Sequence, residues 1–477
     1  MCEGSKNPVF CRAILGAWQG FGVSLAWAGN VFGGRGDLAD ALFTTLDRVD
    51  LGGGVDVPAL GLQLARYNVG GSSRADDPPV QVPGHGLVTM DASPNMPRWK
   101  AIEAFWLFPN NTDPTSAAWD WTRDAKQRAA LAAALARNAS AQVFSNSPPW
   151  FLLSNLNPSG SANGDDDNIP PSGYASHALY MATVAAEFRS RFGVEFEAVE
   201  AFNEPTGNWW KATGTQEGCH VGPPAQAAIL PQLRAALDAR GLAGTPVASS
   251  DESLIDQAVA TWNALPAAAR AAFGILQVHG YEGAGGARAE LYELAVAQGG
   301  KVMRNSEHGE GDFSGASLAQ QVALDFNALH VRSWCYWQAL DITGWGLLTA
   351  DMEKATITAA STKWYVLAGL ARHIRTGMDV LNTTSATAVA AFDAAASTLV
   401  VWATNADAHN DQPVVVDLSS FASSCRGLPV TRFATDFSGS GDLYKRYEDT
   451  TMSGATFSAT LKRASAQTFV IENCGRS

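Results

Sequence analysis

Short apolar runs bounded by turn-forming residues recur along the first 340 residues of the chain. Eight of them predict β-strands: Phe21–Trp27, Leu60–Val69, Ala141–Ser147, Phe196–Phe202, Pro246–Ser250, Ile275–His279, Lys301–Ser306 and Arg332–Gln338. Between most of them lie longer stretches with apolar residues at helical spacing. These predict helices over Ala125–Arg137, Ala175–Phe192, Ala225–Arg240, Asp256–Ala272, Ala287–Gln298 and Ala316–Leu329. Strand alternating with helix implies a parallel sheet, and eight such units imply a closed (β/α)8 TIM barrel, with a doubly wound open sheet as the alternative.

After a last predicted helix at Thr362–His373 the pattern changes. Thr387–Phe392, Thr398–Ala403, Pro413–Leu418 and Thr468–Glu472 alternate apolar and polar residues, and Thr, Ser, Gly and Asp punctuate them. That is the signature of an antiparallel β-sandwich. The expected organisation is therefore an α/β barrel over residues 16–375 and a fused C-terminal β-sandwich side domain over 376–477. No flexible linker separates the two, and residues 1–15 are placed to add a strand to the side domain.

Composition narrows the function classes. Of 477 residues 46% are hydrophobic and only 17% charged, which suits a large buried core. Thirty-three basic against 46 acidic residues leave a net charge of −13, so nucleic acid is not an expected partner. No run reaches the roughly 18 apolar residues of a membrane span. Six cysteines, at 2, 11, 219, 335, 425 and 474, form an even set, and terminal pairings among Cys2, Cys11, Cys425 and Cys474 are expected out of 15 arrangements. Sequons begin at Asn110, Asn138 and Asn382. Together these features predict a secreted or lumenal protein, although the N-terminal residues lack the basic and apolar regions of a signal peptide. Nothing marks an association surface, so a monomer is expected.

Two strand ends carry the chemistry. Phe202-Asn203-Glu204-Pro205 follows the fourth predicted strand and Asn305-Ser306-Glu307-His308 ends the seventh. All strand C-termini of a barrel converge on one face, so these two carboxyl groups can meet. A retaining glycosidase needs such a pair, with carboxyl groups about 5–5.5 Å apart. Glu204 then reads as the general acid/base and Glu307 as the nucleophile. Glu310 and Asp312 are competitors for the second role, but they lie in a Gly-rich loop and read as a solvated acidic turn. Arg66, at the end of the second strand, can hold the nucleophile ionised. Trp27, Asn146, Trp150, Asn203, Trp210, His279, Tyr281 and Trp337 are candidate substrate-binding residues, with the pair Trp209-Trp210 just after Glu204 the better candidate for a sugar platform, since sugars offer apolar C–H faces to aromatic rings and hydroxyls to polar groups. A packed barrel core would use several of the same residue types. Fifteen Trp sharpen both readings. No His-Glu-x-x-His or paired Cys-x-x-Cys occurs, so neither metal nor cofactor is expected, and Gly52-Gly53-Gly54 reads as a turn.

Longer strings resemble glycoside hydrolase family 30, and within it the endo-β-1,6-galactanase group. They are Gly20–Trp27, Arg66-Tyr67-Asn68-Val69-Gly70-Gly71, Asn146-Ser147-Pro148-Pro149-Trp150, Phe202–Pro205, Val278-His279-Gly280-Tyr281, Ser306-Glu307, Tyr336-Trp337-Gln338, Gly344–Leu347 and Arg372–Met378. Gly214-Thr215-Gln216-Glu217-Gly218-Cys219-His220 points to the galactanase group. The resemblance implies a barrel with a fused β-sandwich, a retaining mechanism on Glu204 and Glu307, secretion, and an endo-acting enzyme on β-1,6-galactan such as arabinogalactan side chains. Ala28-Gly29 and Phe32–Gly36, after the first strand, depart from the group's pattern. Other glycans open to the same machinery are β-1,6-glucan, glucuronoxylan and glucosylceramide. A non-catalytic carbohydrate-binding protein is the reading from a different class.

Overall fold

The computed structural model describes residues 9–419 and 425–475, with 9–15 as backbone alone. The chain opens on β1 (Val9–Ala17) and then builds the barrel. Its strands are β2 (Gly20–Ser24), β3 (Leu64–Asn68), β4 (Ser140–Phe144), β5 (Phe196–Glu200), β6 (Val247–Glu252), β7 (Ile275–Val278), β8 (Val302–His308) and β9 (Ser333–Tyr336). They pair in parallel in chain order, and β9 closes on β2 through Tyr336 opposite Val23. Every residue of β2, β3, β6, β7 and β9 is buried, as expected where helices cover a parallel sheet.

The helices fall where the apolar spacing placed them, with ends set by local chemistry. They include α1 (Ala125–Leu135), α2 (Tyr174–Phe192), α3 (Pro223–Asp238) and α4 (Ile255–Ala264). The stretch expected as one helix over Asp256–Ala272 is broken. Pro266 drives Leu265 to an extended ψ of 130°, and a short second helix, Ala267–Ala271, follows. Next come α5 (Ala316–Leu324), which continues in a wider turn over Asp325–Leu329, and α6 (Thr362–Ala371). Gly52, Gly53 and Gly54, all with positive φ, turn the hairpin between Val49–Asp50 and Asp56–Val57.

The side domain holds β10 (Asp379–Thr383), β11 (Ala388–Asp393), β12 (Thr398–Asn405), β13 (Gln412–Asp417), β14 (Pro429–Asp436), β15 (Lys445–Thr451), β16 (Thr456–Leu461) and β17 (Ser465–Ile471). With β1 they form one nine-stranded sheet ordered β15-β14-β17-β12-β11-β10-β1-β13-β16. β1 joins its two parts, antiparallel to β10 and parallel to β13. The alternation seen in the sequence divides side chains between two cores. Leu381, Phe392, Leu399, Val401, Phe469 and Ile471 meet Val414, Val416, Phe457 and Leu461 inside the folded sheet. Val380, Val389, Ala391, Val400 and Trp402 face the other way and join the barrel's core. The bond from Thr468 Oγ1 to the Gly369 carbonyl (2.6 Å) ties β17 to α6.

Cys425 and Cys474 form a disulfide, while Cys219 and Cys335 are buried free thiols. Residues 1–8, Cys2 among them, lie outside the described residues, as does the Cys11 side chain. No helix among the described residues is long and apolar enough to cross a membrane.

Candidate active site

Glu204 and Glu307 rise from the same barrel face, from strands β5 and β8, with β6 and β7 between them. One carboxylate oxygen of each, with a ring nitrogen of His279, lies within 4.8 Å of the others. Glu307 ends β8, and its backbone N–H donates to Asn305 Oδ1 (3.1 Å). Glu204 follows β5 with a φ of +46°, a left-handed conformation that costs a non-glycine residue of the order of 1 kcal/mol. Three bonds impose it. The Glu204 N–H donates to the Asp251 carbonyl (2.8 Å), and the Glu204 carbonyl accepts from Gly207 N (2.9 Å) and Trp210 Nε1 (2.8 Å). Strain held by its surroundings at one residue is common where a side chain must be aimed.

Below the two carboxyl groups lies a fully buried cation. Arg66 donates from Nη1 to Glu307 Oε2 (2.6 Å) and from Nη2 to Asp251 Oδ2 (2.5 Å) and Asn203 Oδ1 (3.0 Å), with its guanidinium 3.4 Å from the Phe144 ring centre. Tyr281 Oη donates to Glu307 Oε1 (2.8 Å), so both Glu307 oxygens accept from protein donors. His279 stands between the acids: Nδ1 is 3.2 Å from Glu204 Oε1 and 3.5 Å from Glu307 Oε1, and Nε2 is 3.3 Å from Asp251 Oδ1. Trp209 Nε1 donates to Glu204 Oε2 (3.1 Å).

Burial and these charges set the protonation. Burial works against an imidazolium at His279, but Glu307 and Asp251 outweigh it and raise the ring well above its ordinary value. Burial also pushes Asp251 up, yet Arg66 and His279 hold it at about 2. At Glu307 burial raises the carboxyl, with His279 and Arg66 opposing it.

Above the pair opens a cavity of about 950 Å³, at the upper end of the usual range for ligand pockets. Of the residues singled out from the sequence, Trp27, Asn203, Glu204, Tyr281, Glu307 and Trp337 line it. Arg66 and His279 lie beneath it, completely buried. Three candidates sit elsewhere. Trp210 is 3% exposed, its ring pressed against Gly218, where an added Cβ would come within 1.9 Å of it. Its neighbour Trp209, 40% exposed, faces the cavity instead. Trp150 packs on Phe151 and lines a separate cavity of about 330 Å³ with Arg74 and Arg123. Asn146 is buried, with no hydrogen-bond partner for its side-chain amide among the described residues.

The cavity also recruits residues outside the expected substrate-binding set. Trp99 and Lys100 come from a long excursion after β3. Trp99 packs edge-on to Trp27 (5.9 Å between ring centres), and Lys100 Nζ lies 3.9 Å from the Trp27 ring centre. Trp99 thus supplies an aromatic beside Trp27. Thr215 and Gln216 enter from the Gly214–His220 loop, while Glu310, Asp341, Ile342 and Trp345 enter from the loops after β8 and β9. Of these, Thr215, Gln216 and Trp345 fell within strings noticed in the sequence, and Glu310 was weighed there as a competitor for the nucleophile.

Comparison with known proteins agrees with this geometry. The family model described as O-Glycosyl hydrolase family 30 matches residues 16–263. An endo-beta-1,6-galactanase of Hypocrea rufa is 40% identical over 458 residues, covering 96% of this chain and 92% of that protein. Among solved structures, a conserved exported protein from Bacteroides fragilis superposes with a TM-score of 0.76 at 16% identity, covering 97% of this chain and all of the other. A family 30 subfamily 8 xylanase from Clostridium acetobutylicum superposes with a TM-score of 0.69 at 16% identity, covering 98% and 99%. At such identities the structures speak for the fold alone, but the sequence match extends over nearly the whole chain. This chain belongs to glycoside hydrolase family 30.

Proposed function

We propose that the chain is a retaining, endo-acting β-1,6-galactanase, with Glu307 as nucleophile and Glu204 as general acid/base. The mechanism rests on one observation: oxygens of the two carboxyl groups lie within 4.8 Å. That suits direct attack by one of them and leaves little room for the water an inverting enzyme places between. The substrate rests on the 40% identity with the Hypocrea rufa galactanase.

In the first step a Glu307 oxygen bonds to the anomeric carbon while Glu204 gives its proton to the departing O6. The product is a glycosyl ester on Glu307 and a shortened galactan. In the second step Glu204 takes a proton from water, the hydroxide oxygen bonds to the anomeric carbon, and Glu307 leaves as a carboxylate. Arg66 and Tyr281 serve that carboxylate in both directions, and the His279 cation steadies Glu204 when it becomes negative. Trp209 and Trp345, the exposed tryptophans of the cavity wall, offer faces for sugar rings.

An extracellular or lumenal site of action belongs to the same proposal. The Cys425–Cys474 bond supports it, as does exposure of all three sequon asparagines.

The test is product analysis on debranched arabinogalactan, β-1,6-glucan and glucuronoxylan in parallel, with the anomer followed by NMR at early times. Short β-configured galacto-oligosaccharides from the first substrate alone are expected. Cleavage of another polymer instead overturns the substrate, and α-configured first products overturn the mechanism.

A further inference from the structure

Lys100 stands on the aromatic pair Trp27 and Trp99. Its Nζ lies 3.9 Å from the centre of the first ring and 5.3 Å from that of the second. All three residues line the cavity above Glu204 and Glu307. The segment that carries the lysine is fastened to two other loops. Trp99 Nε1 donates to Glu353 Oε1 (2.8 Å), in the hairpin of Leu348–Asp351 and Thr356–Ala360. The Trp99 carbonyl accepts from Asn30 Nδ2 (2.9 Å).

Lys100 itself has no such partner. An ammonium offers three protons, yet among the described residues none accepts a hydrogen bond from it or forms an ion pair with it, and the group is not sealed from the cavity. The rings attract a cation through their faces, which orients the ammonium and leaves its outward protons to donate. Burial lowers Lys100, and the charge of Asp341 opposes that. Asp341 lines the same cavity without touching the lysine. Its Oδ2 accepts from Thr343 Oγ1, and its Oδ1 is open and has no donor.

A donor and an acceptor of opposite charge therefore border one space and are not spent on each other. A hydroxyl both donates and accepts, so the hydroxylated edge of a sugar satisfies both. A free anion fits less well, because Glu307, Glu310 and Asp341 border the same space. We propose that Lys100 and Asp341 form a sugar subsite beside Trp27, where Lys100 donates to one hydroxyl of a neutral hexopyranose and Asp341 accepts from another hydroxyl of the same ring. The inference rests on the hydrolase reading given above.

The experiment compares wild type with Lys100→Met, which keeps an apolar stem over Trp27, and with Asp341→Ala. Substrates are β-1,6-galacto-oligosaccharides and analogues in which one hydroxyl at a time is replaced by hydrogen. Loss of the charge-assisted bond in Lys100→Met is expected to raise KM about tenfold while kcat stays within about threefold. One deoxy analogue is expected to cost wild type about tenfold and Lys100→Met nothing further, and a second analogue to stand in the same relation to Asp341→Ala. A lysine that only props the tryptophans would leave equal penalties in all enzymes for every analogue, and that result overturns the subsite. So does a hexuronate-capped oligosaccharide whose KM in wild type, but not in Lys100→Met, lies more than tenfold below that of its neutral counterpart, which would make Lys100 an anion site. Should either variant fail to fold, a crystal of Glu204→Gln soaked with galactotetraose decides. Sugar hydroxyls within about 3.2 Å of both Lys100 Nζ and the Asp341 carboxylate support the subsite, and a bound sugar out of reach of either overturns it. If wild type cleaves a different glycan, the galactan reading falls, and the same crystal soaked with that glycan tests the subsite separately.

Discussion

Tyr281→Phe isolates one hydrogen bond at the heart of the proposed mechanism. The change keeps the ring and removes only the hydroxyl that donates to Glu307 Oε1 at 2.8 Å. Glu307's side chain is 5% exposed, so water cannot readily replace the lost donor. A hydrogen bond to a charged group is worth roughly 1.5–3 kcal/mol, and 1.36 kcal/mol corresponds to about one pKa unit. The lost bond favoured the ionised form, so its removal raises the Glu307 carboxyl further in the direction burial already pushes it. A nucleophile must be ionised, so activity is lost at a higher pH as acid is added. The acidic limb of kcat/KM is therefore expected to move up by about one to two pH units. The profile is measured on a galacto-oligosaccharide, because the free-enzyme limb is read from kcat/KM. The plateau falls as well, since the same hydroxyl steadies the carboxylate leaving in the second step. A limb that stays put, or moves to lower pH, would refute the assignment of Glu307 as the ionised nucleophile.

Three further outcomes are expected. Glu204→Gln and Glu307→Gln each lose galactan hydrolysis by orders of magnitude, but on an aryl galactoside with an activated leaving group only Glu204→Gln releases a burst of phenol; a burst from Glu307→Gln would exchange the roles. Glu217, raised by burial to about 8, stays protonated in the fold, so its stabilising contribution is full below about pH 4.5 and fades as pH climbs to about 8. Thermal midpoints of wild type should thus fall more steeply over that window than those of Glu217→Gln, and parallel curves would show that Glu217 is ionised in the fold. Opening the disulfide with Cys425→Ser removes a link across a sequence separation of 49 residues, at a cost of about 4 kcal/mol from chain entropy; denaturant unfolding that matches the reduced wild type, and lies below the oxidised one, checks it.

The sequence disclosed the barrel because its strands are buried on both sides and its helices are amphipathic, and both patterns are local. It disclosed Glu204, Glu307, Arg66 and His279 because strand ends of a barrel converge whatever the loops do. Helix ends were less legible. Asp256–Ala272 keeps its apolar spacing through Pro266, and only the backbone restriction before proline breaks it. The cavity wall was least legible, because long excursions build it. Trp99 and Lys100 reach Trp27 from some seventy residues away in the chain, and no periodicity relates them. Adjacency misled in the pair Trp209-Trp210. Both follow the acid, but the indole N–H of Trp210 is turned inward to the Glu204 carbonyl, leaving Trp209 to face the cavity. A buried tryptophan and a sugar platform are the same letter until the loop is folded.

The separation of roles between Glu204 and Glu307 follows from the charge of the whole buried cluster. Two cations, Arg66 and His279, share the barrel interior with four carboxyl groups, Glu200, Glu204, Asp251 and Glu307. Buried ions persist when paired, so neutrality asks for two ionised carboxyls and two protons. Asp251, held at about 2 by Arg66 and His279 against burial, is one of the ions. Glu200 is a holder of the first proton: it is 2% exposed, neither of its oxygens has a donor, and burial and the charge of Asp251 both raise it. Glu307 has Arg66 and Tyr281 as donors to its two oxygens, whereas Glu204 has only the neutral indole of Trp209 and a share of His279. The donors favour charge on Glu307, as the proposed double displacement asks of its nucleophile. Arg66 and Tyr281 thus mark Glu307, and not Glu204, as the carboxylate of the proposed mechanism, while the deeper Asp251 and Glu200 supply the charge balance beneath them.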